Sequence, residues 1–126
     1  MGNTNMPRNI LEDAKIHPNI LPVINDSYHE VVDEVTLAIE NNVVVVVGMA
    51  GNPFCKKAKK ILSSQRIAFQ YLEYGSYLRE WRKRNALKMW TGWKTFPMVF
   101  VDGIFIGGAE DLQRLIDANE LTTLLS

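Results

Sequence analysis

The most strongly apolar stretch of the chain is a run of five valines from Val43 to Val47. Consecutive β-branched residues favour a strand that is covered on both faces. A short loop follows, and after Asn52 apolar residues such as Ala58 and Leu62 recur at helical spacing among lysines. Asn52 is a good N-cap, because its side-chain oxygen can accept a hydrogen bond from the first turn. The pattern therefore predicts a buried strand, a tight loop and a helix.

The remaining apolar pattern predicts a mixed α/β domain preceded by an arm over residues 1–25. In chain order we expect a helix from Asp26 to about Glu40, the valine strand and a second helix to about Gln65. A strand from Ala68 to Tyr74 follows, and then a third helix from Tyr77 to about Met89 with Ser76 as its N-cap. The last elements are strands from Met98 to Val101 and from Ile104 to Ile106, a helix from Ala109 to about Asn119, and a short tail. Asp102-Gly103 between the last two strands is a hairpin signal. This order predicts a four-stranded mixed sheet flanked by helices over residues 26–126.

Composition restricts the class of protein. The 126 residues suit one domain, and no apolar run approaches the roughly 18 residues of a membrane span. The N-terminus shows no signal-peptide pattern, so we expect a cytoplasmic protein with no membrane partner. The chain has one cysteine and therefore no internal disulfide. The two histidines show no metal-ligand spacing relative to Cys55, so no metal is expected.

The formal net charge is zero, but residues 41–94 carry eleven basic and two acidic residues. Such a segment either attracts anionic partners or forms a solvated basic face. We interpret Arg79, Arg82, Lys83 and Arg84 as helix surface, and no nucleic acid is expected as a partner.

Three motifs in this order resemble those of the glutaredoxin family. They are Asn52-Pro53-Phe54-Cys55 after the valine strand, Thr95-Phe96-Pro97 before the next strand, and Gly107-Gly108-Ala109-Glu110-Asp111 after the hairpin. The resemblance covers about Ser27 to Leu125. It implies a thioredoxin-like (glutaredoxin) fold and a cis peptide bond before Pro97.

The resemblance also implies a site for glutathione. The backbone of Phe96 would pair with the peptide, and the N-terminus of the last helix would hold its γ-glutamyl end. The expected glutathione-binding residues are Phe54, Thr95, Phe96, Pro97, Gly108, Ala109 and Glu110. The family usually has Asp at position 110, to meet the ligand's ammonium, and Glu keeps that charge.

The reacting residues depart from the family pattern. Asn52 replaces the nucleophilic cysteine, and Met49 replaces the family's lysine. Asn52 is either only an N-cap or an amide that hydrogen-bonds a bound ligand. Cys55 is either a small buried hydrophobe or a reactive thiol favoured by the helix dipole and Lys56. For Met49 we expect loop packing.

Two functions follow from the resemblance. The first is a glutathione-linked thiol-disulfide oxidoreductase with weak or altered activity, in which Cys55 would form the mixed disulfide if any chemistry remains. The alternative is a non-catalytic module that binds glutathione, or a cysteine-containing peptide or protein, in the same groove. An iron–sulfur carrier ranks lowest, because the family's cluster ligand is the missing cysteine at position 52.

Overall fold

A computed structural model describes residues 9–125, without the side chains at positions 24, 26, 27 and 28. The elements in chain order are a 3-10 helix at Asp13–Lys15, α1 (Leu21–Asn41), β1 (Val44–Gly48), α2 (Pro53–Ser64), β2 (Gln70–Glu73), α3 (Trp81–Thr91), β3 (Met98–Val101), β4 (Ile104–Gly107), α4 (Ala109–Asp117) and α5 (Leu121–Leu125). The predicted order of helices and strands is confirmed, and the expected C-terminal tail forms the additional helix α5.

The four strands form one mixed sheet in the order β2-β1-β3-β4. Strand β1 pairs in parallel with β2 and antiparallel with β3, and β3 pairs antiparallel with β4. Asp102 and Gly103 both have positive φ, 51° and 78°, as a two-residue hairpin turn matching the strand twist requires. The predicted sheet and hairpin are therefore confirmed.

The side chains of β1 point alternately into two cores. Val45 and Val47 pack in a cluster with residues of α1 and α3, whereas Val44 and Val46 pack with residues of α2 and α4. None of these four valines is more than 1% exposed. The valine run is thus a central strand covered on both faces, as its composition predicts.

The first helix begins earlier than predicted. Helix α1 starts at Leu21, and Pro22 lies within its first turn. The prediction of a start at Asp26 is wrong because a proline is tolerated in the first turn, where its missing N–H leaves no helical hydrogen bond unmade. The division into an arm (1–25) and a domain (26–126) thus falls inside this helix. Residues 1–8 of the expected arm lie outside the described residues.

The third helix begins later than predicted. It starts at Trp81 rather than Tyr77, so Ser76 is not its N-cap. Glu80 precedes the helix with a φ of 56° and makes no side-chain capping hydrogen bond. Residues 77–79 form a turn instead of helix. The apolar pattern does not predict this turn, since it depends on contacts with distant residues.

Arg84 holds the segment before α3. Its guanidinium donates hydrogen bonds to the carbonyl oxygens of Tyr74 (2.9 Å) and Arg79. Arg84 is only 6% exposed, so its assignment to the helix surface is wrong. The carbonyl oxygen of Gly75 accepts a hydrogen bond from the N–H of Ala50 (2.7 Å). This segment is therefore fixed to the loop that leads into α2.

None of the helices in the described part of the chain is long and apolar enough to cross a membrane.

Candidate functional site

Asn52 caps helix α2. Its Oδ1 accepts hydrogen bonds from the backbone N–H groups of Phe54 (2.8 Å) and Cys55 (3.1 Å), and Pro53 follows as the first helical residue. Asn52 is 8% exposed. The predicted cap is therefore confirmed. An amide does not ionise at neutral pH, so this side chain cannot supply a thiolate-like nucleophile.

Cys55 lies one turn into α2 and is 1% exposed. Burial raises the pKa of its thiol above the ordinary value, and the charge of Glu73 acts in the same direction. A backbone hydrogen bond involving Met49 and the charge of Lys59 lower the pKa, but burial is the largest effect. The cation that acts on Cys55 is thus Lys59, one turn along the helix, and not Lys56 as predicted. At neutral pH Cys55 is a protonated, buried thiol.

Gly48 explains how Cys55 is accommodated. A Cβ at this position would lie 2.9 Å from Sγ of Cys55 and 2.7 Å from the hydroxyl oxygen of Tyr71. The thiol therefore packs against the end of β1, on the side of α2 that faces the sheet. The sequence signal for this close approach is a glycine that ends an otherwise β-branched strand. Met49 follows Gly48 and is 6% exposed, which confirms its predicted packing role.

A shallow cleft of about 280 Å³ lies between the N-terminus of α2, the loop before β3 and the N-terminus of α4. The residues that line it are Phe54, Trp93, Thr95, Phe96, Pro97, Gly108, Ala109, Glu110 and Asp111. All seven residues predicted to bind glutathione are among them, and the structure adds Trp93 and Asp111. Neither Asn52 nor Cys55 is among the lining residues. Their catalytic roles stay predictions.

The apolar wall of the cleft is formed by two phenylalanines in opposite situations. Phe54 is 52% exposed, whereas Phe96 is 5% exposed and belongs to the core. That Phe96 offers its backbone to a ligand stays a prediction. The Phe96–Pro97 peptide bond is cis, as predicted.

The N-terminus of α4 forms the polar end of the cleft. Gly108 is the N-cap, and its N–H donates to Oδ2 of Asp111 (2.9 Å). The first helical hydrogen bond runs from Leu112 N–H to Gly108 O (3.0 Å). The first-turn N–H groups of Ala109 and Glu110 precede it and have no acceptor in the helix. These groups and the helix dipole favour a carboxylate here.

The two acidic residues in the first turn of α4 differ in their surroundings. The side chain of Glu110 is 66% exposed, and its carboxylate lies 3.9 Å from the guanidinium of Arg114. Asp111 contacts the same guanidinium at 3.3 Å and also accepts the Gly108 N–H. Asp111 thus fixes the start of the helix, while the Glu110 carboxylate is free to move toward solvent. The predicted contact of Glu110 with a ligand's ammonium stays a prediction.

Trp93 forms the inner wall of the cleft. Its ring packs edge-on against Phe105, with 5.5 Å between ring centroids and 77° between planes. Its backbone N–H donates to Oγ1 of Thr91 (3.1 Å). The indole Nε1 is buried and has no hydrogen-bond partner among the described residues. From the sequence Trp93 is expected to be a core or loop packing residue, with a position bordering the groove as the less favoured alternative, and the structure places it in the lining of the cleft.

Over residues 9–125, no group of three or more His, Cys, Asp or Glu side chains is placed to hold a metal ion. The resemblance assigns the family's cluster-ligand position to Asn52, whose Oδ1 is engaged in capping. An iron–sulfur cluster therefore does not fit the residues present.

The Glutaredoxin family model matches residues 44–106, from β1 into β4. A glutaredoxin-like protein of Dictyostelium discoideum is 52% identical over 103 residues, which cover 82% of this chain and 84% of that protein. Glutaredoxin-2, mitochondrial, of Rattus norvegicus is 36% identical over 99 residues, which cover 75% of this chain and 60% of that protein. The cytoplasmic location stays a prediction, since some relatives are named as mitochondrial.

Solved structures share the fold. The buckwheat glutaredoxin–glutathione complex superposes with a TM-score of 0.71 at 23% identity, covering 79% of this chain and 91% of that one. Oxidised glutaredoxin 2 from Chlamydomonas reinhardtii gives a TM-score of 0.67 at 28% identity, covering 78% and 92%. The predicted thioredoxin-like fold is confirmed, and together with the sequence matches this shows that the chain belongs to the glutaredoxin family.

Proposed function

We propose that this protein binds glutathione, or a cysteine-containing peptide, in the cleft, and that its thiol-disulfide exchange activity is weak or absent. The observation that carries the proposal is that Asn52 acts as the N-cap of α2. It occupies the position of the family nucleophile, and its Oδ1 is committed to two backbone N–H groups of α2. The cleft beside it still brings together all the residues expected to bind the peptide.

The loss of exchange activity follows from the ionisation that such chemistry requires. A thiolate is the attacking species in disulfide exchange, and a free cysteine reacts in proportion to its thiolate fraction. Asn52 has no thiol, and the Cys55 thiol is buried with a raised pKa. Neither side chain therefore offers an accessible thiolate at neutral pH.

Binding requires other groups, and these are in place. The first-turn N–H groups of Ala109 and Glu110 suit a carboxylate, and the exposed ring of Phe54 offers apolar surface. The buckwheat glutaredoxin, whose fold this chain shares, is a glutathione complex. Glutathione carries carboxylates, and these suit the first-turn N–H donors of α4.

Calorimetric titration with S-methylglutathione tests binding without any thiol chemistry. Phe54→Ser and Ile104→Ser form a matched pair, because both parent side chains are 52% exposed and only Phe54 lines the cleft. Removing the apolar contact of one half-buried aromatic ring should weaken binding about fivefold. Ile104→Ser should bind like the wild type.

A glutathione-dependent disulfide reduction assay tests the chemistry separately. The wild type should give no turnover above the background rate. Turnover that disappears in Cys55→Ser would assign activity to Cys55 and contradict the loss of exchange. Failure of the wild type to bind S-methylglutathione would remove the glutathione assignment.

A further inference from the structure

The buried Nε1 of Trp93 is the least explained polar atom of the cleft. An indole N–H is a donor only, and when buried it normally has an acceptor. Nε1 has none among the residues that the structure describes. An unmade hydrogen bond of this kind lowers stability, because the donor loses its bond to water and gains nothing in return. An acceptor from a bound ligand would supply the missing hydrogen bond.

Gly108 leaves space next to this atom. A Cβ at Gly108 would lie 3.5 Å from the carbonyl oxygen of Pro97, 3.8 Å from Oδ2 of Asp111 and 3.9 Å from Nε1 of Trp93. These are ordinary contact distances, so the three polar atoms surround a volume that a side chain could fill without a clash. The same residues line the cleft. A ligand oxygen that enters the cleft beside Gly108 therefore comes close to Nε1, which is itself buried.

We propose that Trp93 is a specificity-determining residue of the cleft, and that its Nε1–H donates a hydrogen bond to a carbonyl or carboxylate oxygen of the bound peptide. This inference rests on the proposed function. It follows from the donor-only character of Nε1, which requires an acceptor on the ligand. Pro97 O and Asp111 Oδ2 are acceptors, so of the three polar atoms beside Gly108 only Nε1 of Trp93 can donate to a ligand oxygen.

The position of the indole is fixed, but binding has to alter its surroundings. The ring packs against Phe105, and the backbone is held by Thr91. Because Nε1 is buried, a ligand oxygen reaches it only when the residues at the rim of the cleft move apart. Ligand binding should therefore change a signal that belongs to Trp93 itself.

The indole N–H resonances of the three tryptophans, recorded from ¹⁵N-labelled full-length protein, provide that signal. Titration with S-methylglutathione should move the Trp93 resonance downfield with a saturable curve, as expected for a newly formed hydrogen bond. The Trp81 resonance should stay in place, because Trp81 is 54% exposed and does not line the cleft. Trp93→Phe and Trp81→Phe assign the two peaks.

Affinity and stability separate recognition from packing. Trp93→Phe keeps an aromatic ring but removes the donor, so it should weaken binding about fivefold to tenfold. The urea midpoint of Trp93→Phe should not fall in proportion to this loss of affinity, since the removed N–H makes no hydrogen bond within the described fold. Trp81→Phe should bind like the wild type.

Gly108→Ala provides a second route to the same test. Gly108 has a φ of −100°, which alanine adopts without strain, and the added methyl group meets no atom closer than 3.5 Å. This variant should fold normally and bind more weakly, because the methyl group occupies the space beside Nε1. If Trp93→Phe proves unstable, the shift of the Trp93 indole resonance in the wild type decides between the two outcomes.

The outcomes are distinct. If the wild type does not bind S-methylglutathione, the proposed function fails and this inference fails with it. If the wild type binds, but Trp93→Phe and Gly108→Ala bind equally well and the Trp93 resonance does not move, the inference alone is overturned. In that case the glutathione assignment survives.

Discussion

Moving a single thiol between the two ends of helix α2 tests the physical basis of the proposed loss of exchange activity. In a Cys55→Ala background, Asn52→Cys places the only thiol of the chain at the N-cap. Ser64→Cys in the same background places it in the last turn of the same helix, at an exposed position. The two variants share the helix and the background substitution. They differ in the end of the dipole that the thiol meets and in exposure, because position 52 is buried and position 64 is exposed.

The expected difference in pKa follows from the helix geometry. The dipole contributes about 0.3–1 kcal/mol at each terminus, favouring an anion at the N-terminus and disfavouring it at the C-terminus. At 1.36 kcal/mol per pKa unit, the thiol at the N-cap should titrate about one unit below the thiol at position 64. The N–H groups of Phe54 and Cys55, now donating to Asn52, would lower the pKa of the introduced thiol further.

Stability should follow the same sign. Losing the cap outright would cost about 1 kcal/mol, but a thiolate can accept both hydrogen bonds. A thiol whose folded-state pKa is depressed contributes stability above its unfolded pKa of about 8.5, and this is lost as the pH falls through the folded-state pKa. The free energy of unfolding of the N-cap variant, relative to the Ser64→Cys variant, should therefore increase from acidic pH to about pH 9.

The rate of reaction with a thiol reagent as a function of pH gives the two pKa values, and intact-mass spectrometry after incubation with oxidised glutathione detects the mixed disulfide. Only the N-cap variant should form the adduct rapidly at neutral pH. Equal pKa values would refute the electrostatic argument. A depressed pKa without adduct formation would show that the cleft does not place glutathione beside α2.

Three further predictions concern the wild-type residues. Iodoacetamide should alkylate native Cys55 far more slowly than the urea-unfolded chain at the same neutral pH, since the thiol is 1% exposed; equal rates would show that it is accessible. The free energy of unfolding should fall above about pH 9, because burial raises the pKa of Cys55, Tyr71 and Tyr74 and the unfolded chain loses these protons first. Cys55→Ala should make this fall smaller. A free energy of unfolding that does not change with pH would contradict the burial effect. Adding Met49→Lys to Asn52→Cys should raise glutathione affinity in a salt-dependent way. It should also lower the urea midpoint, because Met49 is 6% exposed and the change buries a charge. Met49→Leu is the control, and a gain in affinity that salt leaves unchanged would exclude a charge effect.

The fold could be predicted largely from local signals. The valine run specifies a central strand, and Asp102-Gly103 specifies a hairpin, because each depends on the conformational preference of the residues themselves. The start of α3 could not be predicted in this way. It depends on Arg84, whose guanidinium reaches the carbonyl oxygen of Tyr74 ten residues earlier.

The candidate site likewise has features that the sequence predicts and features that depend on contacts across the fold. The residues that line the cleft belong to motifs with a fixed order, so a family resemblance could assign most of them from the amino-acid sequence alone. The roles of Gly48, Lys59 and Trp93 depend on distances across the fold: Gly48 faces Cys55 and Tyr71, Lys59 acts on the buried thiol, and Nε1 of Trp93 lies beside Gly108. Spacing along the chain does not report such distances.

Position 52 serves a structural and a chemical requirement that are physically separable. A helix N-cap needs an acceptor for the first-turn N–H groups, which an asparagine supplies, whereas disulfide exchange needs an ionisable thiol, which it does not. The fold can therefore keep the start of α2, and with it the cleft, after the nucleophile is lost. Two features of that cleft suit the proposed ligand, which would cover the 52% exposed ring of Phe54 and bring an oxygen to the buried Nε1 of Trp93, an atom with no partner among the described residues.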